Sequence, residues 1–225
     1  MKPELANVAL QVRPQPKDRR AARGKAYDTR FRRLVGKEAW ESLPQAVQRR
    51  FSKRIEGARV VIYPGVIKHA RFSRAGRFLA QLCRLIDGPL PLSSDCGVPA
   101  AVSVSEDCAS GGQCWTRVYG RKSGFPQVIH SAKCFAGPTG IEEHIGRGIG
   151  MALKVVAVEG GLKFRSDHYF IEILGHRVRL PRWLEPGRTT VRHIDQGEGR
   201  FVFSLELSHP WLGELVYQEG VFEDA

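Results

Sequence analysis

Gly197-Glu198-Gly199-Arg200-Phe201-Val202-Phe203-Ser204-Leu205-Glu206-Leu207 is the stretch that decides the fold. Phe201, Phe203, Leu205 and Leu207 alternate with Arg200, Val202, Ser204 and Glu206. Successive side chains of an extended backbone leave on opposite sides, so this pattern builds a strand with one buried face. The Gly-Glu-Gly turn precedes it, and after a break at His209-Pro210 a second run, residues 214–222, can pair back antiparallel. Just upstream lies a Pro-bracketed segment carrying an indole, Val178-Arg179-Leu180-Pro181-Arg182-Trp183-Leu184-Glu185-Pro186.

Working outward, similar strand signals recur from residue 98, with turn chemistry between them. They cover residues 98–106, 113–119, 127–135, 151–159, 162–174, 176–181 and 189–194, with Gly160-Gly161 as a tight hairpin and 137–150 as an irregular Gly-rich stretch. This predicts about eight to ten antiparallel strands, a number that curls into a barrel or splits into a sandwich. Upstream of residue 90 the spacing is helical. Phe31, Leu34 and Val35 share a face that Trp40 extends, and after Pro44 a second face carries Val47, Phe51 and Ile55, ended by Gly57. Residues 59–63 and 66–72 read as a short hairpin about Pro64-Gly65. Ser73 then caps a helix whose stripe is Phe78, Leu79, Leu82, Leu85 and Ile86, stopped by Gly88-Pro89. The expected organisation is a disordered basic arm over 1–30 and one α+β domain over 31–222. Within it, a helical preface (31–90) packs on a curved antiparallel sheet or lipocalin-like barrel (98–222).

The chain has 225 residues, 42% of them apolar, enough for one sizeable core. No apolar run is long enough to span a bilayer, and Met1-Lys2-Pro3-Glu4 lacks a secretory pattern, so a cytoplasmic protein with no integral membrane association is expected. The formal charge is +12, but residues 1–37 hold eleven Lys or Arg against three acids, a net +8. Basicity is thus a property of the tail, and a solvated arm is expected rather than a nucleic-acid surface. The five cysteines form no C-x-x-C pair and the seven histidines no H-x-x-x-H pair, so no metal and no cofactor is expected.

Candidate chemistry concentrates on two strands. Trp115, Arg117 and Tyr119 share one face. Turned inward they line a polar pocket for an anionic or carbonyl-bearing ligand; turned outward they form a wet face with a cation–π stack. Tyr169 falls on a strand whose faces mix polar and apolar groups, which suits a partly filled barrel interior. His130 and Glu172 are the acid/base candidates because both fall mid-strand, where a cavity can tune them. Glu142-Glu143 makes a weak acid/base pair, since adjacent strand residues face opposite ways. Gly146-Arg147-Gly148-Ile149-Gly150 lacks the strand–helix context of a phosphate loop.

Several pieces together resemble the bacterial domain-of-unknown-function family 4166. They are Glu38-x-Trp40, Leu43-Pro44, Val98-Pro99, Trp115-Thr116-Arg117, Leu180-Pro181-x-Trp183-Leu184-x-Pro186, Gly199-Arg200-Phe201-x-Phe203, Pro210-x-x-Gly213 and Tyr217-x-x-Gly220. The resemblance spans about residues 31–222 and departs from the family at Phe51, where a histidine is expected, and around Ser131-Ala132, where an arginine is. It implies a fold and no reaction. Because members occur alone or fused to saccharopine-dehydrogenase-like reductases, it also implies small-molecule or lipid metabolism and a reductase-type enzyme partner.

The leading expectation is binding of a small hydrophobic or amphipathic molecule in a barrel or sheet cavity, with Trp115, Arg117, Tyr119, Tyr169, Arg182 and Trp183 lining or gating it. The alternative is a cavity enzyme of isomerase, cyclase or dehydratase type using His130 or Glu172. A second alternative is a nucleic-acid or membrane-surface adaptor acting through the arm. An exposed sheet edge leaves a homodimer open.

Overall fold

The structure, a computed structural model, describes residues 27–55, 59–174 and 176–224. Most of the expected basic arm, and Gly57, lie outside the described residues. Eleven strands form one antiparallel sheet: β1 (Val60–Phe72), β2 (Pro99–Asp107), β3 (Gly112–Tyr119), β4 (Gln127–Cys134), β5 (Glu142–Gly146), β6 (Ile149–Val158), β7 (Gly161–Ile173), β8 (His176–Arg179), β9 (Arg188–Gly197), β10 (Arg200–His209) and β11 (Gly213–Glu223). Their order is β6-β5-β4-β3-β2-β1-β11-β10-β9-β7-β8, and a β6–β7 pairing closes ten of them into a barrel, with β8 attached outside the ring. The expected barrel is present.

Closure follows from strand length and twist. A twisted sheet this wide curls on itself, and irregularities between Ile67 and His69 in β1 and between Ala152 and Leu153 in β6 add local bend. The hairpin read first in the sequence is β10–β11, which pairs Phe201 with Phe222 and Leu207 with Val216. Alternate residues point inward around the ring, and Tyr63, Val102, Trp115, Leu153, Phe164, Val191, Phe201 and Phe222 meet in one continuous core. Charged residues such as Lys154, Arg165 and Arg192 sit on the outward faces. That polarity is the reverse of a bilayer-spanning barrel. Among the described residues, no helix is long and apolar enough to cross a membrane.

Three expectations change. Residues 59–72 form no hairpin: β1 runs unbroken through Pro64-Gly65 and pairs with both β2 and β11. Pro64 is tolerated because pairing with β11 begins only at Gly65, and Gly65 is required because a Cβ there would overlap the Phe222 ring. The Gly-rich stretch 137–150 contains β5 and the start of β6, joined by a tight turn with positive φ at Gly146, Arg147 and Gly148. The helical preface is reduced to α1 (Arg30–Val35), α2 (Lys37–Glu41), α3 (Gln45–Phe51) and α4 (Arg74–Leu82), none longer than nine residues.

Those helices still matter to the site. Phe31 of α1 packs edge-on against Phe51, Phe135 and Phe164, so α1 and α3 meet one mouth of the barrel, hereafter the cap end. Ser73 caps α4 as expected, its Oγ accepting from Gly76 N–H at 3.0 Å. The helix is amphipathic in an unexpected sense: Gly76 and Ala80 are buried and Leu79 packs against the Leu207, Leu215 and Val216 cluster, while Phe78 and Leu82, and Leu85 in the turn just after the helix, are exposed by 67%, 46% and 73%. Gly76 explains this, since its missing side chain lets the helix backbone sit against Leu215.

Candidate functional site

Strand β3 sends Gln113, Trp115, Arg117 and Tyr119 into the barrel, and β4 sends Ile129, Ser131 and Lys133. Register does the rest. Lys133 stands opposite Gln113 on one side and Glu143 on the other, Glu143 opposite Met151, and Met151 opposite Tyr169. Five neighbouring strands therefore present one row of inward groups, charged in the middle and phenolic at the end.

Two cations and one carboxylate share this interior. Lys133 Nζ lies 3.1 Å from Glu143 Oε2 and Arg117 Nη2 lies 3.9 Å from Glu143 Oε1. Arg117 Nη2 also donates to Ser131 Oγ at 2.9 Å, but Arg117 Nε is buried with no hydrogen-bond partner. The Lys133 ammonium sits 4.6 Å from the centre of the Trp115 ring, a cation–π contact. Burial pushes the Lys133 pKa below the ordinary lysine value despite Glu143. Burial pushes Glu143 the other way, but the charges of Lys133 and Arg117, with hydrogen bonds from Ser131 and Lys133, outweigh it and leave its carboxyl below the usual range. Tyr169 donates to or accepts from Thr189 Oγ1 at 2.6 Å, and burial lifts its hydroxyl to about 12. The cluster carries more positive charge than its single carboxylate balances, in a place where uncompensated charge is costly.

Between this cluster and the cap end lies a cavity of about 30 Å³, close to the space one water occupies. Arg50, Phe51, Tyr63, Gln113, Trp115, His193, Phe201 and Phe203 are among its walls. Trp115 Nε1 donates to Gln113 Oε1 at 3.2 Å. His193, stacked on Phe201 at 4.3 Å, is held neutral: burial, and secondarily Arg50, bring its pKa down to about 3.

The structure thus brings Trp115, Arg117, Tyr119 and Tyr169 into the interior, all less than a tenth exposed. The other four candidates lie elsewhere. His130 is on the outer face of β4, hydrogen-bonded through Nδ1 to Thr116 Oγ1 at 3.2 Å. Glu172 is exposed near the end of β7, 3.9 Å from Arg177. Arg182 and Trp183 sit in the exposed β8–β9 connection, Trp183 being 72% exposed. Neither His130 nor Glu172 faces a cavity that could tune it.

Of the other members of the cluster, Lys133 carries no signal in the sequence, Ser131 enters only as a departure from the family pattern, and Glu143 only as half of a weak carboxylate pair. In β4 the inward set Ile129, Ser131, Lys133 is no more apolar than the outward set Val128, His130, Ala132, so the pattern favours neither face. Glu142 and Glu143 do face opposite ways, as adjacent strand residues must. Glu143 enters the barrel, while Glu142, on the other face, is buried against Arg177 Nη1 at 2.5 Å. Among the described residues, no group of three or more His, Cys, Asp or Glu is placed to hold a metal.

No curated protein and no solved structure matches the chain. The sequence model of a family described as a domain of unknown function, DUF4166, matches residues 43–222, so α1 and α2 precede the matched part. The matched part contains the whole barrel except the last residue of β11, and the chain belongs to the DUF4166 family.

Proposed function

We propose that the barrel binds a small amphipathic molecule, holding its acidic or carbonyl head at Arg117 and Lys133 and its apolar body among Trp115, Tyr63, Phe201 and Phe203 toward the cap end. The observation that carries this reading is the buried Arg117, whose Nε has no partner although its strand neighbours are fully packed. A guanidinium offers five donors in a planar fork, and a carboxylate or phosphate oxygen satisfies the idle edge. The excess positive charge of the cluster favours the same class of ligand. The space of about 30 Å³ is too small for such a molecule, so α3, which closes the cap end through Arg50 and Phe51, has to move for entry.

The test is isothermal titration of the whole chain with dodecanoate and with dodecanol. This reading expects saturable binding of the acid, much weaker binding of the alcohol, and loss of the difference in Arg117→Met. His130→Ala and Glu172→Gln leave the affinity unchanged. Equal affinity for acid and alcohol, or an acid preference that survives Arg117→Met, overturns it. The enzyme alternative makes the opposite demand on His130 and Glu172, turnover lost with binding retained, and their outward placement gives it no support.

A further inference from the structure

The barrel wall is split between β7 and β9. Their ladder ends at Arg165 opposite Thr190, and β8 takes over the same edge of β7 only from Phe170 onward. In the interval side chains do most of the bridging, Thr189 N–H donating to Ser166 Oγ at 3.0 Å and Tyr169 N–H to Glu185 Oε1 at 3.4 Å, beside one backbone bond from Leu180 N–H to the Tyr169 carbonyl at 2.8 Å. Outside the split runs a groove of about 540 Å³ with Arg165, Arg182, Arg188 and His209 in its walls. Among the described residues the three guanidiniums have no ion-pair or hydrogen-bond partner. Asp167 in the same groove is already paired with Lys154 at 2.6 Å, which leaves Glu185 as the other acid there.

Both rims of the groove end in tryptophan and leucine. Trp183 follows Arg182 on one side and Trp211 follows Pro210 on the other, and Trp183, Leu184, Trp211 and Leu212 are 72%, 53%, 84% and 58% exposed. The backbone N–H of Trp211 donates to His209 Nδ1 at 3.3 Å, and the exposed indole meets that imidazole edge-on with ring centres 5.6 Å apart. The outward stripe of α4 lies at the same end of the barrel, since α4 follows the end of β1 and begins against Leu215, just past the β10–β11 turn. Arg74, Arg77 and Arg84 are exposed on that helix and the turn after it, which makes the face cationic as well as apolar.

We propose that this face docks on an anionic lipid surface, the groove arginines taking phosphate-bearing headgroups while the two Trp-Leu tips enter the interfacial layer. Charge complementarity selects this occupant. Unpaired guanidiniums interleaved with exposed indoles and leucines fit a boundary that is anionic at the headgroups and apolar just below them. A dry protein partner would leave three buried cations to be matched one by one. The surface is separate from the interior cluster, so either assignment can fail alone.

The experiment uses the whole chain with phosphatidylcholine vesicles, with and without phosphatidylglycerol, whose acyl chains carry bromine near the headgroup. Sedimentation and tryptophan emission are read together. Trp40 and Trp115 are buried, so bromine quenching reports Trp183 and Trp211. The expected result is sedimentation with the anionic vesicles, quenched emission, and an at least about tenfold loss of both in the Trp183→Ala/Trp211→Ala variant. Arg182→Gln/Arg188→Gln lowers the affinity and its salt dependence together. Sedimentation without quenching overturns the proposal and moves the contact to the basic residues 1–37. Absence of sedimentation overturns it, as does preferential binding of single-stranded RNA. So does self-association of the wild type that disappears in the tryptophan variant, which makes a second copy the occupant. If that variant fails to fold, quenching of the wild-type protein still decides.

Discussion

Two arginines of this barrel are equally buried and opposite in every other respect. Arg50 is 8% exposed and Arg117 7%. Arg50 spends its whole fork: Nε and Nη2 grip Asp224 at 2.7 and 2.8 Å, Nη1 holds Asp195 at 2.7 Å, and its plane lies 4.5 Å over Phe201. Arg117 makes one hydrogen bond, to a serine, and faces a carboxylate at 3.9 Å that it shares with a lysine. Burial alone therefore says little about an arginine's role. Arg50 ties α3 to the ends of β9 and β11 and closes the cap end. Arg117 is held in place by the sheet but is not satisfied by it, which is the condition of a group kept for something else.

The largest effect that separates the two comes from removing Arg50. Arg50→Met strands Asp195 and Asp224 beside an apolar mouth and releases α3, and we expect a loss of about 3 kcal/mol in urea unfolding. Arg117→Met leaves Glu143 still paired with Lys133 and removes one hydrogen bond to a serine and a 3.9 Å charge contact, but it also relieves the burial of an unpartnered guanidinium edge, so the expected loss is smaller, about 1 kcal/mol. Equal costs for the two variants break the comparison.

The cap end also sets the acid limit of the fold. His193 stays neutral when folded, with a pKa near 3, whereas the unfolded chain takes up a proton below its ordinary value of 6.5. Between these values the unfolded state binds more protons, so stability falls as pH falls, by about 1.4 kcal/mol per unit at most. Asp224 adds to this at lower pH, because its hydrogen bond to Arg50 holds its pKa below the usual carboxylate value. Urea unfolding at stepped pH should show the slope in the wild type and a shallower one in His193→Phe.

The smallest effect is expected in the middle of the barrel, and its pH dependence runs in the same direction as that of His193. Burial depresses the Lys133 pKa, so the unfolded chain binds that proton more readily, and stability rises as pH climbs toward the ordinary lysine range. Lys133→Met removes the surplus cation and leaves Arg117 to balance Glu143. Its stability at neutral pH should equal or slightly exceed that of the wild type, within about 1 kcal/mol, while dodecanoate binding weakens. A clear destabilisation would make the cluster a structural element.

How much of this was legible in the sequence follows the same division. Strand periodicity is strong where one face is wholly apolar, as in Phe201-x-Phe203-x-Leu205-x-Leu207, and there the hairpin was read directly. It fails in β4, whose two faces are equally mixed, and Lys133 was missed for that reason. Trp115, Arg117 and Tyr119 could be placed on one face, yet whether that face turned inward depended on closure through β6 and β7, a pairing no local pattern encodes. Pro64-Gly65 misled in the other direction. Its turn chemistry is genuine, but the demand of the Phe222 ring for space at Gly65 overrides it. The stripe on α4 was found and its direction was not, because an apolar helix face reads the same whether it meets a core or an interface.

The most direct test of the central claim is native mass spectrometry of the protein purified from its own host, wild type beside Arg117→Met. The account predicts a stoichiometric acidic or carbonyl-bearing amphipathic passenger on the wild type, absent from a variant that melts within a few degrees of it. A bare mass for the wild type, or a passenger retained without Arg117, contradicts it.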